Sequence, residues 1–171
     1  MKYSQPLLSQ SFNNVCVLHI AGKCCNYYRD HLSIVLENLK RWTSYDLIEE
    51  YGFSEETLGE QVFNADFYML SHDCTADPIL NYGNDRVLKL WETSWAQLTT
   101  MHSQDTAKPV DRATRLAAME RVKLQNYISG YSGMRISKTG TEFEILDVTI
   151  WNLFTRNSDP YGQAAWFKKY R

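Results

Sequence analysis

From about Tyr27 to Tyr45, His31, Ile34, Val35, Asn38, Leu39 and Trp42 recur at steps of three and four residues. Arg29, Asp30, Glu37, Lys40 and Arg41 occupy the rest of the circumference. This is the period of an amphipathic helix with one face to bury. Such a face has two uses: it can cover a side of the main domain, or it can meet its twin in a homodimer. Ser54, followed by Glu55 and Glu56, predicts the cap of a second short helix running to about Phe63. Residues 1–14, with Pro6, Ser9, Ser11 and paired asparagines, are expected to be loosely ordered.

After Asn64 the pattern shortens. Phe67 to Leu70 and Ile79 to Tyr82 are apolar runs of strand length, separated by the polar stretch Ser71 to Pro78. Gly83-Asn84-Asp85 breaks the second run and caps a helix carrying Val87, Leu88, Leu90 and Trp91. Ser94 caps a further short turn with Trp95 and Leu98, and a loop follows from Thr99 to Val110. Asp111 opens a longer helix, Arg112 to about Tyr127, whose apolar positions are Leu116, Ala117, Ala118, Met119, Val122 and Leu124.

Gly130, Gly133 and Gly140 then punctuate a hairpin. One strand holds Met134 and Ile136, and the turn is Ser137-Lys138-Thr139-Gly140. Thr141 to Ile145 alternates as a half-buried strand does, but from Leu146 to Phe154 both parities turn apolar. Either a bulge near Asp147 or burial of both faces by the amino-terminal helices accounts for that change. Asn157 to Gly162 is a turn, and Gln163 to Phe167 the last strand. The order is α+β: an antiparallel sheet of five strands with short helices on one face, preceded by amino-terminal helices. Residues 1–63 read as a helical extension without independent stability, and 64–171 as the domain proper.

At 171 residues, 44% hydrophobic and 22% charged, the chain has material for one well-formed core. A formal net charge of −2 provides no field to attract nucleic acid. The run Val15 to Ala21 is too short to span a bilayer, and Met1 to Pro6 lacks the features of a signal peptide. A cytoplasmic location is expected, without membrane or nucleic-acid partners. Cys16, His19, Cys24, Cys25 and His31 are candidate metal ligands by residue type, but their spacing matches no paired zinc pattern, and free thiols are the better reading. Aromatic residues make up 13% of the chain. Trp91, Trp95, Tyr127, Phe143 and Trp151 are expected to converge, as a filled core or as the walls of a site for a flat apolar ligand.

The polar candidates each carry two readings. His72 with Asp77 has the composition of an acid/base pair, and Cys74 lies between them as a possible nucleophile. Alternatively, Asp77 and Asn81 organise a turn through side-chain bonds to the backbone. Asn152 and Gln163 interrupt apolar strands, so they pair with each other or with Asn81, or present hydrogen bonds to a ligand. Arg135 either meets Glu142 or Glu144 across the hairpin or points inward to anchor an acidic ligand. Gly130-Tyr131-Ser132-Gly133 has the wrong spacing for a dinucleotide fingerprint.

The element order from residue 66 is that of PAS domains, and Asn84 to Trp91 resembles the start of their first core helix. The closer resemblance is to the MEKHLA family, known from stand-alone bacterial proteins and from the carboxyl end of plant class III homeodomain–leucine-zipper proteins. It rests on Ser71-His72, Ala76 to Asn84, Leu90-Trp91-Glu92, Tyr131 to Ser137, Thr149 to Leu153 and Gly162 to Ala165. Two positions depart from it: Ser103-Gln104 stands where a serine-arginine pair is expected, and Lys108 where an acid commonly precedes the proline.

The resemblance implies a sensing or interaction module, with a small ligand held between the concave sheet face and the short helices. Asn81 and Tyr82 on the second strand join the aromatic and amide residues above as candidate ligand contacts. The cofactor is unassigned. Residues 92–126 lack the cysteine of flavin photosensors, and residues 103–171 lack the histidine that commonly ligates haem iron in PAS relatives. The leading reading is a non-enzymatic sensor for a small apolar or aromatic molecule. Next comes a module that homodimerises through the helix at 27–45. Last is a small enzyme using His72 with Asp77 or Cys74.

Overall fold

The computed structural model describes residues 23–171, with side chains from Tyr28 onward. The segments at 1–14 and 15–21, with Cys16 and His19, lie outside the described residues, as do the side chains of Cys24 and Cys25.

Helix α1 (Lys23–Thr43) buries Leu32, Val35, Leu36 and Leu39, at helical spacing, with His31 and Asn38 on the same side. Ser44, in the left-handed region at φ 61°, ends it. Asp46 caps α2 (Leu47–Tyr51), accepting from the amides of Ile48 and Glu49, and Gly52 closes it at φ 63°. Helix α3 (Leu58–Phe63) begins two residues past Glu56, the second of the expected acids. Ser54 instead accepts the amide of Thr57 on its carbonyl and gives its own amide to Gln61, so Glu55 and Glu56 fall in the preceding turn.

Strands β1 (Tyr68–His72), β2 (Leu80–Gly83), β3 (Tyr127–Ile136), β4 (Glu142–Phe154) and β5 (Pro160–Phe167) form one antiparallel sheet in the order β2-β1-β5-β4-β3. A two-residue β6 (Lys169–Tyr170) adds beside Ile145 and Leu146 of β4. Between β2 and β3 lie α4 (Asp85–Leu90), α5 (Trp95–Leu98), two 3-10 turns at Ser103–Thr106 and Pro109–Asp111, and α6 (Arg112–Gln125). Asn84 is fully buried and caps α4. Its amide donates to the Phe67 carbonyl (2.7 Å) and its oxygen accepts from Met69 (3.2 Å), tying the helix start to β1. Ser94 and Gln97 form a reciprocal cap on α5.

Both faces of the sheet are covered. Met69, Tyr82, Trp151, Leu153 and Ala164 pack under α1, α2 and α3. Tyr68, Leu80, Ile145, Val148, Ile150 and Phe167 pack under α4, α5 and α6. Ile150 and Trp151 are neighbours on β4, so their opposite faces follow from the strand's two-residue period. The two explanations offered for the doubly apolar stretch both hold. Asp147 sits at φ 53°, and the β3–β4 register slips between Tyr131 and Gly133. The bulge shifts parity, and α1 buries the second face.

Two expectations need correction. The helix expected to reach Tyr127 ends at Gln125, because Asn126 turns into the left-handed region at φ 68°. Strand β3 accordingly begins at Tyr127, ahead of the Met134 and Ile136 stretch expected to form it. On α6 only Ala118, Met119 and Val122 are buried, while Leu116 and Leu124 are exposed.

Candidate functional site

A small cavity lies on the inner face, between the sheet and the helices α4 and α6; a larger, more polar hollow opens beside it between Gln97, His102 and Lys138. The small cavity is about 50 Å³ in volume. Aliphatic walls come from β1, β2 and β4: Leu70, Leu80, Ile145, Val148 and Ile150. Trp91 at the end of α4 and Met119 of α6 close it on the helical side. Into this apolar frame the chain places Arg115, Arg135, His72, Ser103 and Gln163.

Arg135 is buried on β3. Its guanidinium donates to the Met134 carbonyl (2.7 Å) and the Tyr131 hydroxyl (3.2 Å), and stacks 5.5 Å from the Tyr131 ring. The expected cross-hairpin ion pair is absent: Glu142 is taken by Lys108, and Glu144 by Arg171 at 2.8 Å. Of the two readings of Arg135, the geometry favours the inward one. The sequence motif explains how. Tyr131, Gly133 and Arg135 share a strand face, and a Cβ on Gly133 would lie 2.5 Å from the Tyr131 hydroxyl and 3.0 Å from Arg135 Nη1. Glycine leaves the space across which the guanidinium and the phenol lie.

Arg115, one helix away, donates to Ser103 Oγ at 2.5 Å. Burial, followed by the charge of Arg135, pushes its pKa down to about 10. His72 donates from Nδ1 to the Asp73 carbonyl at 2.7 Å. Its pKa is lowered chiefly by burial, with the positive charge of Arg115 acting in the same direction. Trp91 is buried, and its indole N–H has no acceptor among the described residues.

Not every sequence candidate falls here. Trp91, Arg135 and Gln163 line the cavity, and Phe143 packs edge-on against Trp91 at 4.9 Å. Asn152 faces the same side, but its amide donates to the Val122 carbonyl (3.0 Å) and its oxygen accepts from Gln163 (3.0 Å). The amide pair expected from the sequence therefore forms, and also fastens the end of α6. Asn81, Tyr82, Trp95 and Trp151 belong to the opposite face, and Tyr127 is exposed. The aromatic residues split between two cores because strand alternation and the bulge send them apart. Sequence reasoning missed Arg115 and Ser103. Arg115 is one of several basic residues on a helix of weak amphipathicity, and nothing in its spacing marks it.

The acid/base pair proposed from spacing is not formed. Asp77 lies 3.0 Å from His102 and accepts from Gln104, while Cys74 is exposed and directed to the Pro160 carbonyl at 3.5 Å.

Under α1 lies a second polar group. Ser71 donates to Asn81 Oδ1 (2.6 Å), which leaves its oxygen to accept from His31 Nε2 (3.0 Å). Nδ1 of His31 is then the acceptor for the Tyr161 hydroxyl at 2.9 Å. Burial holds the His31 pKa at about 4, so the ring is neutral. Among the described residues no group of three or more histidine, cysteine or acidic side chains is placed to hold a metal ion, and no helix is long and apolar enough to cross a membrane.

Comparison with known proteins bears on the fold. The MEKHLA domain profile matches residues 29–171. The PAS domain of a protein from Colwellia psychrerythraea superposes with a TM-score of 0.55 at 14% identity, covering 74% of this chain and 96% of that one. A light-oxygen-voltage domain studied with a flavin analogue gives 0.54 at 12% identity, over 64% of this chain and 82% of that one. An RNA-binding light-oxygen-voltage receptor gives 0.56 at 11% identity, over 65% of this chain and 31% of that one. No curated protein sequence matches the chain.

Proposed function

The chain belongs to the MEKHLA domain family, and we propose that it acts as a sensory or regulatory domain that binds one small molecule inside its PAS-like core. The observation that carries this reading is the cavity between the sheet and α4–α6, where aliphatic walls surround several converging polar groups. That combination is the usual construction of a ligand site. The cavity lies where the resemblance leads one to expect a ligand.

At about 50 Å³ the space is well below the roughly 300 Å³ of a pocket for a drug-sized molecule. The ligand is therefore compact, and the aromatic preference expected from the sequence narrows to contact with Trp91. Binding rather than catalysis is favoured because His72, Asp77 and Cys74 are each directed to separate partners.

Homodimerisation through the helix at 27–45 is the second reading. The apolar stripe of α1 is spent on the sheet, and Trp151 Nε1 donates to the Val35 carbonyl at 3.0 Å. A dimer through this helix would use its outward residues, such as Arg29, Glu37 and Arg41.

Native mass spectrometry of freshly purified full-length protein tests both readings. A small excess mass per chain, lost on denaturation, supports the ligand. A bare chain that also shows no thermal stabilisation by any member of a metabolite library refutes it. The assembly state is read from the same spectrum.

A further inference from the structure

The cavity described above has a chemical bias that its size alone does not convey. Arg115 approaches from α6 and Arg135 from β3, and both line the same small space. Neither has a carboxylate partner among the described residues; every acid in an ion pair there is matched to another base or to His102. Two guanidiniums carry ten N–H groups. Three hydrogen bonds from them to protein are found among the described residues: to Ser103, the Met134 carbonyl and Tyr131. Trp91, buried in the same wall, adds an indole N–H without an acceptor.

Arg135 is buried and Arg115 half-buried, so two like charges are brought together where water screens them only partly, and that is costly without a counter-charge. A protein that needed only a filled core would place aliphatic side chains at these positions. The arrangement of Tyr131, Gly133 and Arg135 does the opposite, leaving out a side chain so that a guanidinium fits. The remaining lining does not offset the charge. His72 is neutral or cationic and never anionic, and Gln163 has its amide engaged by Asn152.

We propose that the cavity binds a short-chain carboxylate, its carboxyl group held between Arg115 and Arg135 and its apolar body against Leu70, Ile145 and Ile150. This rests on the ligand-binding reading above and specifies its substrate class. A planar carboxylate matches the fork of N–H donors that arginine presents, and the Trp91 N–H supplies a third direction. The volume exceeds the roughly 10–15 Å³ that admits one water molecule and is far below that of a pocket for a drug-sized ligand. The smallest carboxylates are therefore the class matched to the space as the side chains stand. A longer chain requires Met119 to move, which its unbranched side chain allows.

The test uses the full-length protein and matched pairs of probes: acetate against acetamide, and butyrate against butyramide, at constant ionic strength set with chloride. Binding is measured by thermal shift and by isothermal titration. The expected result is stabilisation by at least one acid and none by its amide, with tenfold or greater loss of affinity in Arg135→Gln and in Arg115→Gln. Because the acid–amide comparison is made on the unaltered protein, it stands even if a variant fails to fold. Gly133→Ala, which crowds Arg135 without removing it, should weaken acetate binding in the same direction. Equal binding of acid and amide, or full affinity in a folded Arg135→Gln variant, overturns the carboxylate inference. A neutral molecule found bound by native mass spectrometry would overturn it too, while leaving the ligand-binding reading intact. No response to any probe, together with a bare native mass, overturns both.

Discussion

His31 gives the sharpest prediction, because its chemistry is titratable and its position is fully enclosed. Burial lowers its pKa from the ordinary 6.5 to about 4. The unfolded chain therefore takes up the proton at a higher pH than the folded one. Stability from this group is fully present above pH 6.5, is lost as pH falls toward 4, and changes no further below that. A difference of that size corresponds to about 3 kcal/mol in total, at about 1.4 kcal/mol per pH unit inside the window.

Other groups titrate nearby, among them His72 and the Asp46 and Glu92 carboxylates with their lowered pKa values. A His31→Gln variant cancels their contributions. Urea unfolding of both proteins at pH 7.5, 6.5, 5.5 and 4.5 should show the wild type more stable at the first value. The gap should then narrow by most of about 3 kcal/mol at the last. In the folded wild type, the imidazole proton resonance of His31 should not move until below pH 5. Parallel stability curves, or a resonance titrating near 6.5, would refute both the burial and the neutral tautomer assigned from Ser71 and Tyr161.

The other predictions concern how the elements are fastened. Asn84→Ala should cost about 3 kcal/mol in a urea unfolding curve, since it leaves the Phe67 carbonyl and the Met69 and Val87 amides without their partner. Gly162→Ala should cost on the order of 4 kcal/mol or prevent folding, because its Cβ would lie 1.9 Å from the His72 carbonyl oxygen on β1, where only backbone can yield. Trp151→Phe removes the bond to Val35 and should cost about 1–3 kcal/mol, with faster amide hydrogen exchange in α1 as its signature. A chain beginning at residue 64 should bind a hydrophobic dye strongly, since Met69, Tyr82 and Trp151 lose their cover; dye binding equal to that of the full chain would speak for an independent domain.

Much of this fold is written locally. Asn84 and Ser94 announce their helices because a cap needs one side chain and one backbone turn, both adjacent in sequence. The start of β3 was not legible, because Gly130 reads as a break while in the sheet, at φ 72°, it sits beside a register slip. Asp46 was missed as a cap since α2 has only five residues and therefore no period of its own. The site is harder still. Arg135 was visible as an alternative through its place on a strand, but its choice between solvent and cavity depended on Gly133, and on Lys108 and Arg171 claiming the acids. Arg115 meets Arg135 only through the packing of α6 on the sheet, a relation between residues twenty positions apart that no local pattern encodes.

The bulge at Asp147 behaves in space as a reading frame does in a message. Phe143 and Ile145 join the core on the cavity side on odd positions, Val148 and Ile150 join it on even ones, and Trp151 and Leu153 are thereby assigned to α1. Removing one residue here, with the downstream register kept, would restore a single phase and turn Phe143 and Ile145 to the opposite face. Slipping the downstream segment instead would carry Trp151 into the cavity and Ile150 under the helix. A one-residue deletion at this point is therefore a transposition of the two cores. Within the family, length between residues 145 and 148 should be held more strictly than the identity of the residue at 147, and an alignment of family members would show whether it is.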